Sequence, residues 1–188
     1  HRAAAESVLG ACADHAAMAA KVAQWSSEAL EQAVVEAKGC AAEMRSWVKW
    51  QQHPQGMAVN AEPLVHVIAD QVEINKPWQG SIAQPLAGIK VLDLTRVLAG
   101  PTASRFLAGL GANVLRIDPP TWNEPGVVPE VTLGKRCARL DLHDPADRAV
   151  FEHLLKDADM LLHGYRADAL ENLGFGVERR RQLAPGLI

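Results

Sequence analysis

Two stretches, Ile89-Lys-Val-Leu-Asp-Leu94 and Asn113-Val-Leu-Arg-Ile-Asp118, with Thr95-Arg-Val-Leu-Ala-Gly-Pro101 after the first, decide the fold of this 188-residue chain. The first is apolar on both faces except at Lys90 and Asp93, as a parallel strand covered by helices on either side should be. Gly100-Pro101 opens a helix in which Ala103, Phe106, Leu107 and Leu110 fall at i, i+3, i+4 and i+7, and Gly111 ends it. The second strand follows at once, which makes a βαβ unit of about 30 residues whose crossover is right-handed.

The pattern continues downstream. Pro119, Pro120, Pro125 and Pro129 predict a surface loop from Pro119 to Gly134. Ala138-Arg-Leu-Asp-Leu142 reads as a short strand, and Asp144-Pro145 as an N-cap with proline at the first helical position. The helix that follows turns Val150, Phe151, Leu154 and Leu155 inward, and Ala158-Asp-Met-Leu-Leu-His163 is the next strand. After Gly164-Tyr165-Arg166 come a short helix ending at Gly174 and another turn of helix from Val177 to Leu183. The order βαβ, β, α, β, α is that of an α/β, doubly wound open parallel sheet.

Upstream the chain is Ala-rich and helical. After Ser26-Ser27 the residues Leu30, Ala33, Val34 and Ala37 share one face, Glu28 and Glu31 lie near the positive helix start, and Gly39 supplies a stop. Cys40, Met44, Trp47 and Val48 repeat the spacing up to His53-Pro54, and Val8, Met18 and Val22 suggest shorter helices earlier. Pro54, Pro63, Pro77 and Pro85 suit an extended connector. The expected organisation is a helical small-domain segment over 1–53, a linker over 54–84 and an α/β domain over 85–188.

Composition narrows the function. Lys and Arg number 19 against 22 Asp and Glu, a net charge of −3, so no positive field draws the chain to nucleic acid or an anionic membrane. No apolar run approaches the roughly 20 residues that span a bilayer. Cys12, Cys40 and Cys137 are far apart and odd in number, which argues against a disulfide framework and fits a reducing, cytoplasmic setting. The chain opens on His1 and closes on Leu187-Ile188 at the start of an apolar strand, and so reads as an internal piece of a longer protein.

In such a sheet, ligands bind beyond the carboxyl ends of the strands. Three segments should converge there: Thr95 to Gly100, Asp118, and His163 to Arg166. Arg96 suits a phosphate, Gly100 and Gly164 permit close backbone approach, and Tyr165 offers a flat face to an adenine ring. The plainer readings are a salt-bridged Arg96 and a packing Tyr165. Asp118 stands where a dinucleotide-binding fold places its ribose-binding acid, but the preceding turn lacks the G-x-G-x-x-G glycines, which weighs against a nicotinamide oxidoreductase. Lys135-Arg136 and Arg139 form a small basic cluster that could face a ligand phosphate or simply solvent. The seven histidines show no metal-ligand spacing, and no nucleophile motif stands out.

Four segments carry a family resemblance: Pro85-Leu-Ala-Gly-Ile-Lys-Val-Leu-Asp-Leu-Thr-Arg-Val-Leu-Ala-Gly-Pro101, Leu110-Gly-Ala-Asn-Val-Leu-Arg-Ile-Asp-Pro-Pro120, Gly134-Lys-Arg-Cys-Ala-Arg-Leu-Asp-Leu142, and the run from Ala158 through Gly164-Tyr165 to Gly174. In this order and spacing they resemble the amino-terminal part of the family III CoA transferases, the CaiB/BaiF family, which includes 2-methylacyl-CoA racemases. The run from Leu30 to Trp50 looks like the family's helical small-domain region, which there follows the first nucleotide-binding segment and here precedes it.

The resemblance implies a Rossmann-like domain and an interlocked homodimer that acts on acyl-CoA and carboxylic acid substrates and has no permanently bound cofactor. It implies an aspartate that forms an aspartyl-CoA intermediate and lies outside this chain, so no catalytic residue is assigned. It places CoA contacts at Arg96, Val97, Leu98, Ala99, Leu140, His143, Gly164, Tyr165 and Asn172. Departures from the family pattern are Gly164-Tyr165 in place of an Asn-aromatic pair, Asn172 in place of a basic residue, and Pro119 in place of an arginine. The alternatives are a non-catalytic CoA-binding or dimerisation half and a racemase-type enzyme.

Overall fold

The computed structural model describes residues 2–68, 72 and 77–188. Contacts divide the chain into two units, residues 1–68 and 69–188. The first holds α1 (Arg2–Leu9), α2 (His15–Val22), α3 (Ser27–Glu36), α4 (Trp47–Gln52) and α5 (Pro54–Ala61). Side-chain caps set several starts: Asp14 accepts from the Ala17 amide at 2.8 Å, Ser26 from Ala29 at 3.2 Å and Ser46 from Lys49 at 3.3 Å.

Three expectations for this unit are corrected. The turn after α3 takes its left-handed residue at Lys38 (φ 61°), not at Gly39, which stays small because a Cβ there would meet Val34 and Ala4. Residues 40–46 are not helical. Glu31 accepts from the Glu43 amide at 2.6 Å and pairs with Arg45 at 2.8 Å, which ties this segment to α3, and Met44 is left fully exposed. The helix begins only where Ser46 caps it. Finally, the stretch expected to be an extended connector opens with α5, whose Pro54 occupies the first turn and whose N-cap is His53 Nδ1, accepting from Gln55 at 3.2 Å.

The second unit is a four-stranded parallel sheet of β1 (Lys90–Asp93), β2 (Asn113–Asp118), β3 (Arg136–Arg139) and β4 (Met160–Leu162), in the order β3-β2-β1-β4. Helix α6 (Ala99–Gly109) joins β1 to β2, α7 (Val128–Val131) precedes β3, and α8 (Pro145–Lys156) joins β3 to β4. The short helices α9 (Ala169–Asn172) and α10 (Val177–Leu183) follow. This is the doubly wound, Rossmann-like arrangement, with the topological switch between β1 and β4, where successive connections leave on opposite sides.

Side chains alternate across the central strands. Leu92, Leu94, Ile117 and Leu161 face a core closed by Phe151, Leu155, Leu170 and Phe175, where the two phenyl rings meet edge-on at 4.9 Å. Val91 and Val114 face the other way and pack with Ala112, Leu107 and Ala108. Asp144 caps α8 as expected, accepting from Ala146 at 2.8 Å and Asp147 at 3.1 Å. Gly111 ends the turn after α6 with φ 97°.

Two elements differ from expectation. β3 starts two residues early and ends at Arg139, because its partner β2 runs out at Asp118. One further bond, Leu140 N to Asp118 O, closes the ladder, and Pro119 and Pro120 have no N–H to extend it. The 119–134 loop contains α7, with Pro129 in its first turn and Val131 buried. Arg136 and Arg139 on β3 discourage pairing at the sheet edge.

Among the described residues Asp93 is the one buried carboxylate, fully buried on the α6 side of β1. Lys135, expected to face solvent or a ligand phosphate, lies instead with its side chain fully buried. Its Nζ donates to Asp93 Oδ2 at 2.9 Å, Ser104 Oγ at 2.6 Å and the Pro101 carbonyl at 2.9 Å. Removing one partner strands the other charge, so Lys135→Ala is expected to lower the unfolding free energy by about 3–5 kcal/mol. Asp93→Asn combined with Lys135→Met is expected to recover much of that loss in urea titration, and equal destabilisation of the single and double variants would contradict the pairing.

Candidate functional site

The site grows out of the turn after β1. Asp93 Oδ1 accepts from the Thr95 amide at 2.9 Å and from the Thr95 hydroxyl, while Oδ2 takes Ser104 and Lys135. The carboxylate thereby binds the strand end, the turn and α6 together. Gly100 must lack a side chain, since a Cβ would fall 2.4 Å from the Thr95 Cβ. The first-turn amides of α6 receive no side-chain cap.

Between the carboxyl ends of β1 and β4 opens a cavity of about 400 Å³ lined by Thr95, Arg96, Val97, Ala99, Gly100, Trp122, His163, Gly164 and Tyr165 among others. A cleft of about 130 Å³ adjoins it, lined by Asp118, Pro119, Leu140, His143 and Leu173 among others, and Arg96 and Tyr165 line both. Of the residues singled out by sequence, Arg96, Val97, Ala99, Gly164 and Tyr165 lie on the larger cavity. Leu140 and His143 lie on the smaller. Leu98 is the exposed N-cap of α6 and lines neither. Asn172 sits on α9 outside both, its amide donating to Asp168 Oδ2 at 3.1 Å.

The Arg96 guanidinium lies over the Trp122 ring at 4.5 Å and the Tyr165 ring at 5.4 Å, and donates to the Tyr165 hydroxyl at 3.1 Å. Among the described residues no carboxylate is within ion-pair reach of it, so its charge is held by aromatic faces. The salt-bridged reading of Arg96 does not apply. Arg136 and Arg139 of the basic cluster are spent on Asn113 Oδ1 and the Pro120 carbonyl.

Sequence reading missed three residues here. Arg116, buried on β2, pairs with Asp118 at 2.8 Å and Glu124 at 3.0 Å. Asp118, the candidate ribose ligand of a dinucleotide site, is therefore engaged by an arginine two residues away. Glu124 also accepts from the Val97 amide at 3.0 Å. Val97 has φ 69°, a left-handed conformation that costs a β-branched residue about 1–2 kcal/mol. The third is Trp122. An aromatic side chain leaving the carboxyl end of a strand was the available signal for it, whereas Arg116 and Glu124 gave none.

Electrostatics follow the geometry. Burial opposes the charge on Glu124, but the nearby Trp122 indole N–H and the hydrogen bonds from Arg116 and the Val97 amide hold its carboxyl below the usual range. Burial, aided by the nearby Arg180, lowers His163 from the ordinary imidazole value. The folded state thus binds fewer protons at His163 than the unfolded state does. Stability is expected to fall as pH drops below the ordinary imidazole range toward the lowered value. His163→Gln is expected to flatten that part of a thermal-melt pH series, and an unchanged slope would exclude His163 as its source.

The family described as CoA-transferase family III matches residues 86–188, more than half of the chain. An acyl-CoA transferase of Gibberella moniliformis is 34% identical over 171 residues, covering 87% of this chain and 30% of the fungal protein. That share exceeds the second unit, so the likeness takes in residues of the first. The human succinyl-CoA:glutarate CoA-transferase is 34% identical over 118 residues, covering 56% of this chain and 27% of the human one. Among solved structures, a mutant of Rv3272 from Mycobacterium tuberculosis superposes with a TM-score of 0.51 at 33% identity, covering 56% of this chain and 32% of that one. The chain spans 27–32% of the length of these relatives. Since the match and the doubly wound sheet cover the same residues, the chain belongs to CoA-transferase family III, the CaiB/BaiF family.

Proposed function

We propose that this chain is the CoA-binding part of an acyl-CoA transferase that moves CoA between carboxylic acids. The observation that carries the reading is the cavity at the switch point. It combines a guanidinium with no carboxylate partner among the described residues, the faces of Trp122 and Tyr165, and an uncapped helix start. A cation and amide donors suit the phosphates of CoA, and flat rings suit its adenine. Arg96, Val97, Ala99, Gly164 and Tyr165 are the nearest contacts, with Leu140 and His143 at the adjoining cleft and Leu98 and Asn172 further out.

The chemistry is covalent and needs no redox partner. An aspartate from a segment outside these 188 residues attacks the donor thioester, expelling the CoA thiolate and leaving a mixed anhydride. The thiolate attacks the aspartyl carbonyl, which releases the donor acid and leaves aspartyl-CoA. The acceptor carboxylate attacks that thioester, expelling the thiolate and leaving a second anhydride. The thiolate then takes the acceptor acyl group and frees the aspartate. In this reading residues 85–188 hold CoA, residues 1–53 together with α5 are a helical small-domain segment joined to them through the remainder of 54–84, and the assembly is a cytoplasmic homodimer.

Titration calorimetry of CoA into the chain tests the binding. Saturable binding is expected, weakened by about 1–3 kcal/mol in Tyr165→Ala if the ring stacks on adenine. An unchanged affinity would leave Tyr165 as packing. The chain alone is expected to turn over no acyl-CoA, and turnover would place the nucleophile within it.

A further inference from the structure

The loop between β2 and α7 reaches back across the carboxyl end of the sheet to the turn after β1. Its Glu124 has one oxygen on the Val97 amide at 3.0 Å and the other on the buried Arg116 at 3.0 Å, which itself pairs with Asp118 at 2.8 Å. Val97 is one of two non-glycine residues with positive φ among the described residues, and it directly follows Arg96. A β-branched residue in that conformation reverts to an extended or right-handed one unless something holds it. Such a reversal would rotate the peptide between residues 96 and 97 and re-aim the Arg96 side chain.

We infer that Glu124 is a positioning residue for CoA recognition: by fixing the Val97 amide to Arg116 it holds the turn left-handed and keeps Arg96 between Trp122 and Tyr165. The inference rests on the CoA-binding reading above. Glu124 touches no ligand in this role and acts through the backbone of Val97. Arg116 makes the anchor rigid, since its side chain is fully buried and it is held independently by Asp118. Trp122 belongs to the same loop, so the tie at Glu124 also sets the ring on which Arg96 rests.

The role predicts a coupling that a merely structural residue would not produce. If Glu124 serves to stabilise a left-handed Val97, glycine at that position, which enters the conformation freely, removes most of the need for it. CoA affinity is therefore measured by calorimetry in the native chain, Glu124→Ala, Val97→Gly and the double variant. Glu124→Ala is expected to weaken CoA roughly tenfold, the size of the conformational preference at stake. In the Val97→Gly background the same change is expected to weaken it less than about threefold.

Equal losses in both backgrounds, or no loss in a folded Glu124→Ala protein, overturn the inference while leaving CoA binding intact. Absence of saturable CoA binding in the native chain overturns the CoA reading and the inference with it. Should Glu124→Ala fail to fold, Glu124→Gln replaces it in the same cycle. It keeps an oxygen for the Val97 amide but sets an amide group against Arg116, and its smaller loss must likewise shrink in the Val97→Gly background.

Discussion

The carboxylate of Asp93 is the point on which the site depends. It lies fully buried at the end of β1 and accepts from the amide and hydroxyl of Thr95, the hydroxyl of Ser104 and the ammonium of Lys135. An unpaired carboxylate there would be driven to neutralise or to open the core. Four donors satisfy both of its oxygens, and they come from the turn that carries Arg96, the helix that presents its amides to the cavity, and the segment leading into β3. The same four bonds that make the charge tolerable therefore fix the relative positions of the cavity's walls. Packing alone is non-directional and would not set that geometry so closely.

A second network on β2 works in parallel. Arg116 neutralises Asp118 and Glu124, two acids at the carboxyl end of the sheet, and Glu124 passes the constraint to the Val97 amide. Burial works against the charge on Arg116, but the two carboxylates more than offset it and keep it firmly protonated. The two networks grip opposite ends of one short turn, Thr95 through Asp93 and Val97 through Glu124. Arg96 lies between them with its guanidinium left for the aromatic faces.

Much of this fold was legible in the sequence because the signals were periodic and local. The two-faced apolar run at Ile89–Leu94, the helical spacing from Ala103 to Leu110 and the Asp144-Pro145 cap each dictate one element, and the structure has them. Cys40 and Met44 carry the same helical spacing as Trp47 and Val48, yet the helix starts only at Trp47. They are exposed, and the ion pairs of Glu31 with Arg45 decide that segment instead. The strand order pointed to the region beyond the carboxyl ends of β1 and β4, where a cavity lies with Arg96 and Tyr165 in its lining. Lys135 and Glu124 were not legible, since a charged residue reads as solvated until its partner is known. Those partners lie 42 and 27 residues away in sequence.

The distribution of charge around the cavity follows from this sorting. A polyanion such as CoA is repelled by any uncompensated carboxylate at the sheet's carboxyl end, and Asp118 and Glu124 both lie there. With Arg116 buried beneath them, both Asp118 oxygens and one of Glu124 point to that fixed cation, and the other Glu124 oxygen accepts from the Val97 amide. Arg96 is treated in the opposite way. Stacking on Trp122 and Tyr165 orients it without neutralising it, because an aromatic quadrupole holds a cation while leaving its N–H donors able to meet phosphate. An acidic partner in the same position would have to be displaced before any phosphate could bind. In the proposed CoA-binding reading, one arginine silences acids and another meets the anion, and burial separates the two roles. Arg116 is sealed in the sheet and Arg96 is placed at the mouth of the switch-point cavity.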